Sequence, residues 1–478
     1  MNSADWRAAL GQAILLWMIC ESVLEAVGQT PIVRLKRVVG SSSARIFAKL
    51  EMLNPGGSIK DRIGYWLIED AERRGVLKPG GTLVEGTSGN TGFGLAIAAA
   101  IKGYQCVFVL PDKMSEEKIR NLRAFGARVV VTPTAVEPND PRSYYSVAKR
   151  LAREIPNAVY LDQYNNLANR DCHYRTTAPE ILGQMPAIDV FVAGIGTGGT
   201  ICGVGRYLRE HKPDARVVAV DPVGSIVYEV YKTGTAVTRP KTYKIEGIGE
   251  DFIPANYDFG VIDEIVQVND KESFLMTRGL LTKEGIFAGV SSGAAVVGAL
   301  KYVQQNAPEL KDKNVLVVLP DSGNRYLSKA FNDDWMREAG FLESSSLGSV
   351  ADLLRVLNKS HEIVTASPKD KVSVVIAKMR DQDISQIPVV DPAGWVKGIV
   401  TESSLLKALY EGRLEPAETV ESLIDSSVEF VTHGDSIERV SRLVTDGRTP
   451  LVTDPARDNK LLAILTKIDL LSYLAARQ

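Results

Sequence analysis

Three times between residues 84 and 301 a glycine-rich turn opens a helix of small residues: VEGTSGNTGFGLA (84–96), VAGIGTGGTICGVGRYL (192–208) and EGIFAGVSSGAAVVGALK (284–301). Such turns constrain a fold strongly, because each brings backbone N–H groups and the positive end of a helix to one point. They sit within a longer alternation, from about Ser22 to Gly340. Short apolar runs (44–50, 105–110, 127–132, 189–196, 215–221 and 314–320) alternate with helix-like stretches such as 115–125 and 144–155. Runs of this length, often ended by Gly, Pro or Asp, suit strands buried on both faces of a parallel sheet. The pattern predicts an α/β architecture with ligands bound beyond the carboxyl ends of the strands.

The texture changes near Glu343. ESSSLGS (343–349) reads as a linker, and beyond it two halves resemble each other. Each runs strand, helix, strand, strand, helix, a duplication that buries one shared face. The expected divisions are an N-terminal extension (1–20), an α/β region (21–342), the linker (343–349) and a βαββα tandem-repeat module (350–478). The 478 residues exceed one ordinary domain, and 45% hydrophobic with 24% charged residues describes a soluble globular chain. A net charge of −2 gives no electrostatic case for nucleic acid or an anionic membrane. Cys20, Cys106, Cys172 and Cys202 form no C-x-x-C pair, so reduced cytoplasmic thiols are expected and no metal site. The apolar stretch 8–20 is too short to span a bilayer and reads as an upstream extension, with Met18 as an alternative start.

NPGGSIKDR (54–62) places Lys60 just after a turn, with Ser58 as a candidate helix cap. A lysine at a positive helix end, in a partly closed site, favours the free amine that Schiff-base chemistry requires. Alone, this lysine is equally a solvated surface group. Thr87, Ser88, Gly89, Asn90 and Thr91 offer hydroxyls, an amide and N–H groups suited to a carboxylate, or simply a capped helix start. Gly196, Thr197, Gly198, Gly199 and Thr200 can turn several N–H groups onto one phosphate, without matching a nucleotide motif. Ser291 suits a pyridine nitrogen, which it would leave unprotonated; Ser291 or Ser292 as a plain N-cap is the competing reading.

NPGGSIKDR, EGTSGNTG, GTGGT, EGIG (246–249) and GVSSGA together resemble the fold-type II pyridoxal-phosphate enzymes, the cystathionine β-synthases first and the cysteine synthases next. The resemblance runs from about residue 20 to the C-terminus. It implies a catalytic core of two open α/β subdomains over 21–342. It implies that Lys60 holds the cofactor, pyridoxal 5′-phosphate, as a Schiff base and acts as the general base. Asn90 would bond the ring 3-hydroxyl, Gly196 to Thr200 the phosphate, and Ser291 the pyridine nitrogen. Thr87, Ser88, Thr91 and Gln163 would hold the amino-acid carboxylate, with Tyr164 lining the site. The implied reaction condenses serine with homocysteine to cystathionine by β-replacement, a step of transsulfuration and cysteine biosynthesis, with hydrogen sulfide as a further product. The alternatives are a cysteine synthase or an O-acetylserine-dependent cystathionine synthase. The stretch before Gly28 holds Cys20 but no histidine, so no haem is expected. Glu250 follows EGIG where the eukaryotic synthases have tyrosine, which places the chain nearer bacterial forms. The tail resembles a tandem CBS pair, or Bateman module. This implies an adenosyl ligand (S-adenosylmethionine, AMP or ATP) at Thr466 and Asp469; the first repeat has Ser404 where the aspartate would stand after Thr401. A homodimer or larger homo-oligomer is the family's usual assembly.

Overall fold

The computed structural model describes residues 19–476 apart from 88, 113, 115, 135, 137–139, 237–238, 343–346, 358–362, 427 and 455–459. The chain divides into two compact units, 1–331 and 332–478.

The first unit holds two sheets. The larger runs in the order β1 (Ile32–Arg34), β2 (Arg45–Leu50), β10 (Asn314–Leu319), β7 (Val190–Gly194), β8 (Arg216–Pro222), β9 (Glu264–Val268). Only β1, on β2, is antiparallel. The smaller is fully parallel, in the order β5 (Arg128–Thr132), β4 (Gln105–Pro111), β3 (Thr82–Gly86), β6 (Ala158–Tyr160). All six apolar runs of the sequence became strands; each is too short for a helix, and all but the edge strand β5, where Arg128 and Val131 are exposed, are largely buried. β1, β6 and β9 lacked that signature.

Two helices set the geometry that matters most, α1 (Lys60–Arg73) and α2 (Asn90–Lys102). Ile63, Leu67, Ile68 and Ala71 of α1 are fully buried in a cluster with Leu95, Ala98, Phe108 and Leu110. Each of its larger aliphatic side chains contributes roughly 1.5–3 kcal/mol through burial. The helices cross at Gly64 and Gly94. A Cβ built on Gly64 would lie 2.2 Å from the Gly94 carbonyl carbon, and one on Gly94 would lie 2.3 Å from the Lys60 carbonyl oxygen. A buried ion cluster ties α1 to the larger sheet. Arg62 pairs with Glu51 at 2.8 Å and with Glu180 at 2.9 Å, and Lys49 on β2 also pairs with Glu180.

The second unit carries β11 (Gln386–Val390) and β12 (Val396–Thr401), then β13 (Glu429–Val431), β14 (Pro450–Asp454) and β15 (Lys460–Ile464). Helices Val372–Asp381 and Glu402–Tyr410 belong to the first repeat, Ile437–Thr445 and Lys467–Ala475 to the second. Part of the expected linker is packed here. Leu347 joins an apolar cluster with Val350, Leu353 and Tyr473, and its carbonyl accepts the Tyr473 hydroxyl at 2.8 Å.

Candidate active site

The turns at 84–90 and 192–199 lie at carboxyl strand ends in the first unit, while the third glycine-rich turn follows the helix Asp270–Glu284. β3 leads into α2, whose first residue is Asn90. β7 leads through 195–198 into α3 (Gly199–His211). Residues 320–322, beyond β10, strap the other two turns together. Ile59 N–H donates to Pro320 O at 2.8 Å, Ser322 N–H to Gly57 O at 3.1 Å, and Gly289 N–H to Asp321 O at 2.9 Å. The last of these opens α4 (Val290–Gln305), which carries Ser291.

These turns enclose a cavity of about 540 Å³ lined by Lys60, Asn90, Gln163, Tyr164, Gly196, Thr197, Gly198, Thr200 and Ser291. Thr87, Thr91 and Gly199 stand behind its wall. Thr87 Oγ1 accepts the Gly89 N–H at 3.0 Å, and Thr91 Oγ1 donates to Gln163 Oε1 at 2.5 Å. Gln163 Nε2 is anchored on Gly86 O at 2.9 Å. Ser88 lies outside the described residues.

Lys60 is the first residue of α1. Its N–H donates to Ser58 Oγ at 3.3 Å, while Ile59 occupies the cap position. Burial lowers the amine from 10.5 to about 8, and the negative charge of Glu250 partly offsets that fall. Asn90 is held from behind: its Nδ2 donates to Asp321 Oδ2 at 2.8 Å, and Arg325 donates to its Oδ1. Arg325 also stacks on the Phe93 ring, 4.1 Å from the centroid. The N-cap of α4 is Gly289, so neither Ser291 nor Ser292 serves as the cap. Gly198 has φ +83°, and a Cβ there would lie 2.3 Å from Tyr257. The loop therefore tolerates no side chain at that point and keeps its N–H groups clear at the start of α3. Two threonine hydroxyls, a helix N-terminus and a buried low-pKa lysine in one cavity fit a phosphate-bearing aldehyde cofactor.

Beside the expected Tyr164, the far wall holds Tyr144 and Tyr145, which carry no sequence signal. Tyr144 and Tyr164 share a hydroxyl–hydroxyl bond of 3.0 Å, Tyr145 packs edge-on to Tyr164, and Tyr145 OH reaches Glu250 Oε2 at 3.5 Å. Nothing local to the helix Tyr144–Glu154 marks its first two residues as cavity wall. Glu250, noted before only as a departure from tyrosine, lines the cavity itself.

Residues 23–321 match the family described as pyridoxal-phosphate dependent enzyme, and residues 350–411 match the CBS domain. Cystathionine β-synthase of Oryctolagus cuniculus is 40% identical over 477 residues, covering 96% of this chain and 86% of the relative. The chain belongs to the cystathionine β-synthase family. It is thus a pyridoxal-phosphate-dependent lyase with a C-terminal CBS module. Two further likenesses cover about two thirds of the chain. A probable cysteine synthase of Bacillus subtilis is 43% identical, covering 65% of this chain and 97% of the relative. A crystal structure of O-acetylserine-dependent cystathionine β-synthase from Helicobacter pylori is 40% identical with a TM-score of 0.59, covering 65% of this chain and 98% of that one.

In the second unit, Thr466 and Asp469 border a cavity of about 600 Å³ together with Ile384, Ser385 and Thr449. Asp469 Oδ2 accepts the Thr466 N–H at 2.8 Å and its hydroxyl at 2.7 Å, so the pair also caps the helix Lys467–Ala475. Thr401 and Ser404 make the equivalent cap in the first repeat. Among the described residues no helix is long and apolar enough to cross a membrane, and no group of three or more His, Cys, Asp or Glu could hold a metal ion.

Proposed function

We propose that this enzyme condenses serine with homocysteine to cystathionine by β-replacement at the cavity around Lys60. The observation that carries this reading is the buried Lys60 amine, with its lowered pKa, in one cavity with the 196–200 turn and Ser291. Pyridoxal phosphate, when bound, supplies the electron sink that makes the amino acid's α-proton and β-substituent labile. Lys60 is the residue that would hold it, with Asn90 at the ring hydroxyl, Gly196 to Thr200 at the phosphate and Ser291 at the ring nitrogen. Gln163 and the threonines of 87–91 would orient the substrate carboxylate at the start of α2. The freed Lys60 amine takes the Cα proton of serine, and the β-hydroxyl leaves as water with the proton that the homocysteine thiol gives up. The homocysteine thiolate then adds at Cβ, and Lys60 returns the proton to Cα. Glu250 supports an amino-acid nucleophile: a carboxylate in the cavity attracts the ammonium of homocysteine, a group that HS⁻ lacks. A donor other than serine is the second reading, favoured by the Helicobacter pylori relative's dependence on O-acetylserine.

Lys60→Ala should abolish the enzyme-bound cofactor absorbance and all turnover; near-normal activity in that variant would remove Lys60 from the mechanism. A product panel of serine with homocysteine against O-acetylserine with homocysteine or sulfide decides the substrates. We further propose that the Thr466–Asp469 cavity takes an adenosyl compound, Asp469 accepting ribose hydroxyls. Calorimetric titration with S-adenosylmethionine, AMP and ATP tests this. Binding that persists unchanged in Asp469→Ala would place the ligand elsewhere.

A further inference from the structure

Behind the 195–200 turn lies a buried polar wall that the reaction scheme does not use. It is formed by Asn169 and His173, one helical turn apart, where Ala168–Cys172 passes into a π-helical stretch, His173–Thr177. Single-turn π segments re-aim side chains and occur often at functional sites. Both side chains are fully buried. Asn169 Nδ2 donates to Thr197 Oγ1 at 3.1 Å, and its other amide proton goes to Gln163 O at 2.7 Å. Thr197 Oγ1 also accepts the Gly199 N–H at 3.4 Å. His173 Nε2 stands 3.2 Å from Thr200 Oγ1, and its Nδ1 stands 2.9 Å from Thr177 Oγ1.

The tautomer of His173 decides which way the Thr200 hydroxyl proton points. Burial, together with the positive charges of Lys60 and Arg62, holds the ring in its neutral form. One ring nitrogen therefore donates and the other accepts. Among the described residues the Thr177 hydroxyl has His173 Nδ1 as its hydrogen-bond partner, so a Thr177 proton directed at Nδ1 leaves Nε2–H to donate to Thr200. Both lone pairs of Thr197 and one of Thr200 are then filled from behind, and both hydroxyl protons remain for the cavity. The opposite tautomer would draw the Thr200 proton backwards and turn oxygen lone pairs toward an anion.

We propose that Asn169 and His173 are positioning residues that hold Thr197 and Thr200 with their hydroxyl protons facing the cofactor phosphate. This rests on the reading of 196–200 as the phosphate loop. The test compares pyridoxal phosphate with pyridoxal, which lacks the phosphate, as ligands of the cofactor-free full-length protein. A glutamine amide nitrogen reaches the place of Nε2, whereas an asparagine amide reaches only that of Nδ1. His173→Leu and His173→Asn should therefore weaken pyridoxal phosphate about tenfold and leave pyridoxal unchanged. His173→Gln should stay within about threefold of the parent. The ³¹P resonance of the bound phosphate should move in the Asn variant and hold in the Gln variant. The Gln–Asn contrast decides the matter even where leucine is not accommodated. Equal weakening by Gln and Asn, or parallel loss of both ligands, overturns the inference. Thr200→Val separates it from its premise. If that variant keeps full affinity for pyridoxal phosphate, the phosphate loop is misassigned. If it loses affinity while His173→Asn does not, only the positioning role fails.

Discussion

An ordinary lysine holds almost no free amine at neutral pH, and the burial of Lys60 changes that fraction by orders of magnitude. Cofactor capture by the apoenzyme should follow the deprotonated amine, so its rate should rise with pH through a midpoint near 8 rather than 10.5. Stopped-flow absorbance during reconstitution measures this. Glu250 stabilises the ammonium, so Glu250→Gln should move the midpoint below that of the parent. The sign for stability runs the same way. Between about 8 and 10.5 the unfolded chain holds a proton that the folded chain has released, so this group's contribution rises with pH across that window. The same substitution should raise kcat/KM for sulfide relative to homocysteine by about tenfold, one charge–charge contact in a partly closed site. An unchanged ratio would remove Glu250 from nucleophile choice. At this scale the sequence exposed the residues that follow glycine-rich turns, Lys60, Asn90 and Ser291, because the turns themselves are visible. Tyr144, Asn169 and His173 had no such marker. Each matters through a partner distant in sequence, such as Tyr164 for the first, Thr197 and Thr200 for the others.

Among elements, the crossing of α1 and α2 decides where Lys60 sits. The Gly94 Cα faces the Lys60 carbonyl so closely that any side chain must push the two helices apart. Gly94→Ala should destabilise the fold by about 1–3 kcal/mol and cost more in turnover than its stability loss explains, since it displaces Lys60, the lysine proposed to hold the cofactor. Urea unfolding beside single-turnover kinetics checks both parts. Activity lost only in proportion to unfolded protein would contradict the geometry. The sequence announced a small-residue helix at 90–102 but not its partner, because a close approach between helices is a tertiary distance. The ion cluster on α1 gives a second test. The Arg62 guanidinium holds the carboxyls of Glu51 and Glu180 below their ordinary values despite burial. Stability from these groups is therefore fully present above the unfolded carboxylate range near 4.5 and is lost as pH falls through their lower folded values. Glu51→Gln leaves Arg62 underpaired and should cost about 3–5 kcal/mol, with a shallower acid limb in the pH–stability curve.

On the scale of the whole chain, the tandem repeat was readable because both halves carry the same order of apolar runs and helical stretches. The boundary was not. Polar composition drew it at 343–349, whereas compactness draws it after Phe331, since the helix Asp333–Glu338 and the segment at Leu347 pack within the second unit. A serine-rich stretch and a true break in contacts are different properties, and only the first is written in composition. Each unit carries its own buried apolar clusters, around Ile63 and Phe191 in the first and around Val440 and Val375 in the second. Separate cores permit separate melting. Calorimetry of the full chain should resolve two transitions. Pyridoxal phosphate in hundredfold excess over its dissociation constant should stabilise one of them by about 2.7 kcal/mol. An adenosyl ligand of the Thr466–Asp469 cavity should move the other, and Asp469→Ala should cancel that second shift while leaving the first intact. One transition that both ligands raise together would mean that the two cores melt as a single cooperative body.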